Sequence, residues 1–261
     1  MILLHTKHYY PLLIFIVLIS VVLTAGCNQE STPGTIIQKS IETHGVENLR
    51  QSRISFTFRG DRFERHYQNG RFTYSRTFTD SLAQTIYEAI NNDSTWRKVN
   101  GESVSLSDSA RAGIHESINS IIYFGFLTFK LNDPAVNKRY IGTATINSSP
   151  YYKIEITFNK AGGGKDYQDR FVYWIHRNNY TLDFFAYYYH IEGGGVRFRE
   201  AYNPRTIKGI RFQDYRNYKP ASDSLLPDYK IERFDELLKN DQLELVSRIV
   251  LDSINVALTG Q

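Results

Sequence analysis

A two-residue alternation recurring along most of the chain constrains its fold more than any other feature. Tyr152, Ile154, Ile156 and Phe158 fall on one side of such a run, and Lys153, Glu155, Thr157 and Asn159 on the other. Successive side chains of a strand point to opposite faces, so this run reads as a β-strand with one packed and one wet side. Residues 54–59 and 65–78 alternate in the same way around Asn69-Gly70, a pair suited to the left-handed turn that joins antiparallel strands. Residues 84–91 and the pieces flanking Asn100-Gly101 continue the meander, although 84–91 also suits a helix. The triple glycines at 162–164 and 193–195, and Asn203-Pro204, read as further hairpin turns. No strand-helix-strand repeat occurs, which argues against a parallel barrel or doubly wound sheet.

Two segments change period. Ile36, Ile37, Ser40, Ile41 and His44 recur at helical spacing before a stop at Gly45. Ala110, Ile114, Ile118, Ile121 and Ile122 form a second helical stripe that Ser107 can cap and that should pack on a sheet. Pro134, after Asp133, is placed to open one more short turn of helix. The expected fold class is α+β, mainly antiparallel β, with two or three helices covering the sheet and no linker within residues 35–261.

The first 26 residues are of another kind. Lys7 and two histidines precede an apolar run over residues 12–23, broken only by Ser20 and ending in Thr24, Ala25 and Gly26. A spanning helix needs about 20 apolar residues, so the shorter run reads as a cleaved export signal. Cys27, the one cysteine in the chain, follows immediately and has no partner for an internal disulfide. Leu23-Thr24-Ala25-Gly26-Cys27 resembles the lipobox of bacterial lipoproteins, with Thr24 standing where that motif usually has Leu. The resemblance implies lipidation of Cys27 and anchoring by its acyl chains. Residues 27–34, polar and ending in Pro33-Gly34, read as a tether. Asp is absent at position 28, which leans toward the outer membrane of the cell envelope. The net charge of +4 is too weak a balance to suggest a nucleic-acid partner.

Aromatic residues concentrate between positions 171 and 218. Phe171, Tyr173 and Ile175 share one face of a strand and Val172, Trp174 and His176 the other, so both faces must be covered. Helices can cover one. A ligand in an apolar hollow, or simply a thick aromatic core, would cover the other, since apolar area left in water forfeits roughly 25 cal/mol per Å². On the ligand reading Tyr173, Trp174, Tyr188, Phe198 and Phe212 supply the lining, and Arg199 and Asp214 the polar groups that orient a guest. Arg199 and Asp214 are also placed to pair across neighbouring strands. No cofactor or metal is expected: His176 and His190 fall on adjacent strands but lack a third ligand, and neither triple glycine feeds a helix as a phosphate loop would. His176, Asp183 and Asp214 are the acid-base candidates of a hydrolase reading. Asp166, Asp169 and Asp183 are the carboxylates that a glycosidase would need, although the first two more simply solvate a turn.

Gly162-Gly163-Gly164-Lys165-Asp166-Tyr167, Phe171-Val172-Tyr173-Trp174, Gly194-Gly195-Val196-Arg197-Phe198-Arg199 and Gly209-Ile210-Arg211-Phe212-Gln213-Asp214-Tyr215 together resemble an uncharacterised family of Gram-negative cell-envelope lipoproteins. Asn119-Ser120-Ile121-Ile122-Tyr123-Phe124 and Leu131-Asn132-Asp133-Pro134-Ala135-Val136 extend the likeness over most of the chain after Cys27. The resemblance implies a curved half-barrel sheet similar to those of the lipoprotein-sorting proteins LolA and LolB, enclosing an apolar cavity for acyl chains. No motif of LolA or LolB is present, so none of their functional residues is carried over. Family members have been labelled deoxyribose-phosphate aldolase, a label to which this sequence lends no support. The expected function is a membrane-anchored binding module for a lipid or other apolar ligand. A cell-envelope hydrolase, or a structural lipoprotein docking an envelope protein, stands as the alternative.

Overall fold

The computed structural model describes residues 32–164, 167–190, 194–226 and 230–259. Cys27, the export signal, Asp166 and Gly193 lie outside the described residues. Strands β1 (Ser52–Phe58), β2 (Asp61–Gln68), β3 (Arg71–Thr79), β4 (Thr85–Asn91), β5 (Thr95–Val99) and β6 (Glu102–Val104) form one antiparallel meander. A second contains β7 (Val136–Ile146), β8 (Ser149–Phe158), β9 (Arg170–His176), β10 (Leu182–Tyr189), β11 (Gly195–Ile207) and β12 (Ile210–Pro220). Residues 84–91 are therefore strand, their alternation outweighing any helical reading.

The turns follow from backbone chemistry. Asn69 and Gly70 take φ of 50° and 77°, and Asn100 and Gly101 take 51° and 89°, as the tight reversals between β2 and β3 and between β5 and β6 require. Asn203-Pro204 is not a turn. It sits inside β11 where the register with β12 slips between Tyr202 and Arg205, and the reversal comes later, at Lys208-Gly209. A proline that cannot join the hydrogen-bond ladder is accommodated by such a bulge.

Two short strands decide the architecture. β13 (Leu243–Ile249) pairs with β12 at one edge of the second meander, and β14 (Asp252–Leu258) pairs with β1 at an edge of the first. Residues 250 and 251 alone separate them, so the chain passes directly from one seven-stranded sheet to the other. The strands thus form one open, curved layer running from β6 round to β7, the half-barrel expected from the sequence. Register slips in β1, β7, β10, β11 and β12 supply local bends.

Helix α1 (Pro33–Thr43) begins two residues earlier than the tether reading implied. Thr32 Oγ1 accepts from the Thr35 amide at 3.2 Å, and Pro33 occupies the first helical position, where its missing N–H is no loss. A single turn, α2 (Val46–Leu49), follows Gly45, whose φ of 70° ends α1. α3 (Asp108–Gly125) is capped by Ser107, buries Ile114, Ile118 and Ile122, and packs on β3, β4 and β5. Between Phe126 and Ala135 the chain makes successive turns, and Pro134 opens no helix. Two 3-10 turns (Asp223–Leu225 and Ile231–Arg233) and a short α4 (Phe234–Lys239) complete the chain. No helix among the described residues is long and apolar enough to cross a membrane.

The second sheet is indeed apolar on both faces. On its inner side Ile154, Phe171, Tyr173, Phe185 and Tyr215 join the core formed with the first sheet, α1 and α3. On its outer side Val172, Trp174, Phe184 and Phe198 pack under Leu226, Ile231, Phe234 and Leu237. The polar side of β8 is correspondingly drier than its alternation suggested. Lys153 donates to Asp235 at 2.8 Å, and Arg170 donates to Glu155 at 2.7 Å and to Glu232 at 2.8 Å. The segment around α4 lies over that face and provides ion partners for it.

Candidate functional site

From the free edge at β6 to the opposite free edge at β7 the chain crosses the open side of the half-barrel by way of α3 and the turns that follow. Beneath this crossing lies a cavity of about 330 Å³. Phe72 and Tyr74 of β3 form one wall, Phe158 and Phe171 the other, and Ile122, Tyr123, Phe124, Phe126 and Phe129 the roof. His115, Glu116, Asn119, Ser120, Lys130, Asp133 and Asp169 add polar groups, together with the backbone of Gly162, Gly163 and Gly164. Gly163 has no space for a side chain: an added Cβ would lie 2.3 Å from the Asn159 carbonyl oxygen.

The lining is ordered by ring packing. Phe124 lies 6.4 Å from Phe171 and 6.2 Å from Phe185, and Phe171 meets Phe158 edge-on at 6.0 Å. Arg65 of β2 also belongs to the wall. Its side chain is fully buried, Nη1 donates to the Leu49 carbonyl at 2.8 Å, the Tyr74 hydroxyl is a hydrogen-bonding neighbour, and Nε and Nη2 make no close hydrogen bond among the described residues. The guanidinium carbon stands 4.3 Å from the ring centroid of Phe129, 5.2 Å from Tyr67 and 5.5 Å from Phe126. Burial pushes its pKa down to about 10, against the opposing pull of Tyr74 and Tyr67, so the cation persists at neutral pH.

The residues singled out from the sequence are distributed around this site rather than gathered in it. Tyr173 lies in the core behind Phe171, 6.1 Å away ring to ring, and burial holds its hydroxyl pKa well above the usual value. Arg199 stands 4.2 Å over Phe124 and donates from Nη2 to the Tyr187 hydroxyl at 3.1 Å. Phe212 meets Phe126 edge-on at 6.0 Å. Trp174 and Phe198 occupy the outer core, where Phe198 stacks on Phe234 at 5.3 Å, and Tyr188 packs at its margin.

The expected Arg199 to Asp214 pair does not form. Arg199 is opposite Asn217 and Asp214 opposite Tyr202. The bulge at Asn203-Pro204 instead brings Arg205 to Asp214 at 2.8 Å, and Asp214 also accepts from Asn203 Nδ2 at 2.8 Å and from the Leu251 amide at 3.1 Å. Asp214 therefore pins the corner where β13 passes into β14. His176 and His190 do not meet either. They lie at opposite ends of the β9 and β10 pair, and among the described residues no group of three or more His, Cys, Asp or Glu is arranged to hold a metal ion. His176 and Asp183 share a neighbour, Tyr151, whose ring meets His176 edge-on at 5.2 Å and whose hydroxyl donates to Asp183 at 3.2 Å. Asp169 is on the cavity wall.

Sequence reasoning missed Arg65 and the aromatics of α3 and the following turns. A signal was present in β2, where Phe63, Arg65 and Tyr67 share one face: a cation on the packed side of an alternating strand.

Fold and site together define a class: an open, antiparallel half-barrel whose crossing helix roofs an aromatic cavity walled in part by a buried cation. The chain belongs to the DUF6503 family, a family of unknown function, whose model matches residues 12–249. No curated protein matches the sequence significantly. Among solved structures it is similar to a LolA superfamily protein, NE2245, from Nitrosomonas europaea, with 13% identity, 88% of this chain and 94% of that chain covered, and a TM-score of 0.48. It is also similar to a DUF1329 family protein from Desulfovibrio piger (11% identity, 87% and 93% covered, TM-score 0.37). A third likeness is to a candidate outer membrane lipoprotein-sorting domain from Vibrio parahaemolyticus (10% identity, 86% and 93% covered, TM-score 0.42).

Proposed function

We propose that this protein is an exported lipoprotein of the cell envelope, anchored at the outer membrane, that shelters a lipid or other apolar ligand in the cavity under α3. Residues 1–26 are the export signal on this reading, Cys27 carries the acyl chains, and the polar residues after it tether one domain. The observation that carries the proposal is the aromatic hollow of about 330 Å³ itself. A cavity of about 150 Å³ admits benzene, so this one has room for on the order of a dozen non-hydrogen atoms. That is a small apolar molecule or part of one acyl chain.

Phe72, Tyr74, Phe124, Phe158 and Phe171 form the contact surface on this reading. Tyr173, Arg199 and Phe212 brace those rings from behind, and Trp174, Tyr188 and Phe198 fix the opposite side of the same sheet. Mass spectrometry of organic extracts from the purified protein, produced with Cys27→Ser so that no attached chain contributes, tests the idea. A lipid should co-purify at near-stoichiometric yield, and Ser120→Trp, which fills the cavity from α3, should displace it. An extract free of apolar molecules, together with no uptake of added fatty acid, would refute the proposal.

A further inference from the structure

The next step rests on the cavity reading above and names the chemical kind of the guest. A buried cation is normally matched by an anion, because desolvating a charge without compensation costs several kcal/mol. Two buried carboxylates of this fold are matched by cations. Glu88, fully buried, is bound by both Arg76 and Arg97, and Asp214 is bound by Arg205. Arg65 is different: the Leu49 carbonyl accepts from Nη1, the Tyr74 hydroxyl is its hydrogen-bonding side-chain neighbour, and Nε and Nη2 make no close hydrogen bond among the described residues. The groups that act most strongly on its charge are Tyr74, Tyr67 and Arg50, with no carboxylate among them. The cavity's own acids do not serve it. Glu116 and Asp169 each have interactions of their own and neither is among the groups that act most strongly on Arg65, and Asp133 acts on Lys138. Arg199, which likewise has an unpartnered Nε, spends Nη2 on Tyr187 and does not form the cavity wall.

We propose that Arg65 is the anchor for an anionic head group, carboxylate or phosphate, of an amphiphile whose apolar tail lies in the hollow against Phe124, Phe158 and Phe171. The planar guanidinium suits such heads because it can give two parallel N–H donors, and Nε and Nη2 are the two without a close hydrogen bond among the described residues. Arg65 has no contact with solvent, so the head reaches it by turning aside one of the rings packed on it, Tyr74 or Phe129. The rings then shield the ion pair from water, which strengthens it.

Calorimetry on the full-length protein in lipid nanodiscs, with protein-free nanodiscs as blank, tests the assignment using three probes of one tail length: decanoate, decyl phosphate and decan-1-ol. The two anions should bind at least tenfold more tightly than the alcohol, as expected for a hydrogen bond to a charged group. Arg65→Met should erase that preference, the two anions then binding no more tightly than the alcohol, and Arg65→Lys should restore part of it. Equal affinity of the wild-type protein for decanoate and decan-1-ol, or an anion preference that survives Arg65→Met, would overturn the head-group assignment and leave the apolar cavity standing. Failure of all three probes to bind would overturn the cavity reading with it.

Should Arg65→Met not fold, the carboxyl carbon of bound ¹³C-labelled decanoate decides. It should titrate below free decanoate if Arg65 faces it, and a pKa raised above the free acid overturns the proposal.

Discussion

His44 gives this protein a pH dependence whose size follows from its surroundings. The side chain ends α1, 7% exposed, with Nδ1 donating to the Ser40 carbonyl at 2.8 Å and Nε2 without a hydrogen-bond partner among the described residues. Burial is the main cause that lowers its pKa to about 4 from an ordinary 6.5; Arg211 lowers it further, and the bond to Ser40 partly opposes both. The imidazole is therefore neutral in the folded protein down to about pH 4, whereas the unfolded chain protonates near 6.5. The unfolded state binds the extra proton between those values, so stability is complete above 6.5 and is lost as pH falls toward 4. With one pKa unit equal to about 1.4 kcal/mol, the loss reaches about 2 kcal/mol at pH 5 and about 3 kcal/mol at pH 4.

The Ser40 hydrogen bond can be kept by His44→Asn, whose amide donates where Nδ1 does but does not titrate. Urea unfolding of both proteins from pH 7.5 to 4 isolates the effect, since every other titrating group is common to the two. The wild-type protein should lose about 3 kcal/mol relative to the variant over that range. A difference between them that stays constant with pH would refute the reasoning, because His44 would then titrate alike in the folded and unfolded chains.

Three further perturbations probe the frame around the cavity. Gly45→Ala places a Cβ 1.9 Å from the Gly209 carbonyl oxygen at a φ of 70°. It should cost about 3 kcal/mol or more and lower the Tm by roughly 6–12 °C in calorimetry. Phe234→Ala removes the ring stacked on Phe198 in the outer core, with an expected loss of about 3–5 kcal/mol in urea unfolding and little change in ligand affinity. Asp214→Asn leaves Arg205 without its anion and sets two amide donors against each other at Asn203. A loss of about 3 kcal/mol is expected, with hydrogen exchange accelerating first at residues 249–252 and not at the α3 roof.

Local chemistry announced itself in particular residues. Asn69-Gly70 and Asn100-Gly101 specify reversals because few other pairs accept two left-handed positions, and Ser107 with the stripe from Ile114 to Ile122 specifies α3 because cap and period agree. Asn203-Pro204 misled, since proline marks a bulge as readily as a turn and only the register with β12 tells them apart. The lining was misplaced for a related reason. Alternation reveals that β9 is apolar on both faces, but not that the outer face is filled by Phe234 and Leu237, some sixty residues later, while the inner face borders a hollow.

What the sequence determined by itself is therefore everything that depends on neighbours a few residues apart: strand and helix periods, most turns, the antiparallel plan and the expectation of a curved sheet with helices across it. Tertiary structure alone decided which aromatic surface became core and which became cavity, and that Asp214 would hold the corner between β13 and β14. It also left Arg65 charged and dry, with no carboxylate paired to it among the described residues. Those outcomes depend on distant segments meeting: β13 handing the chain to β14, α4 closing the outer face, α3 crossing from one free edge to the other. Burial and electrostatic pairing are sums over such meetings, and no window of sequence contains them.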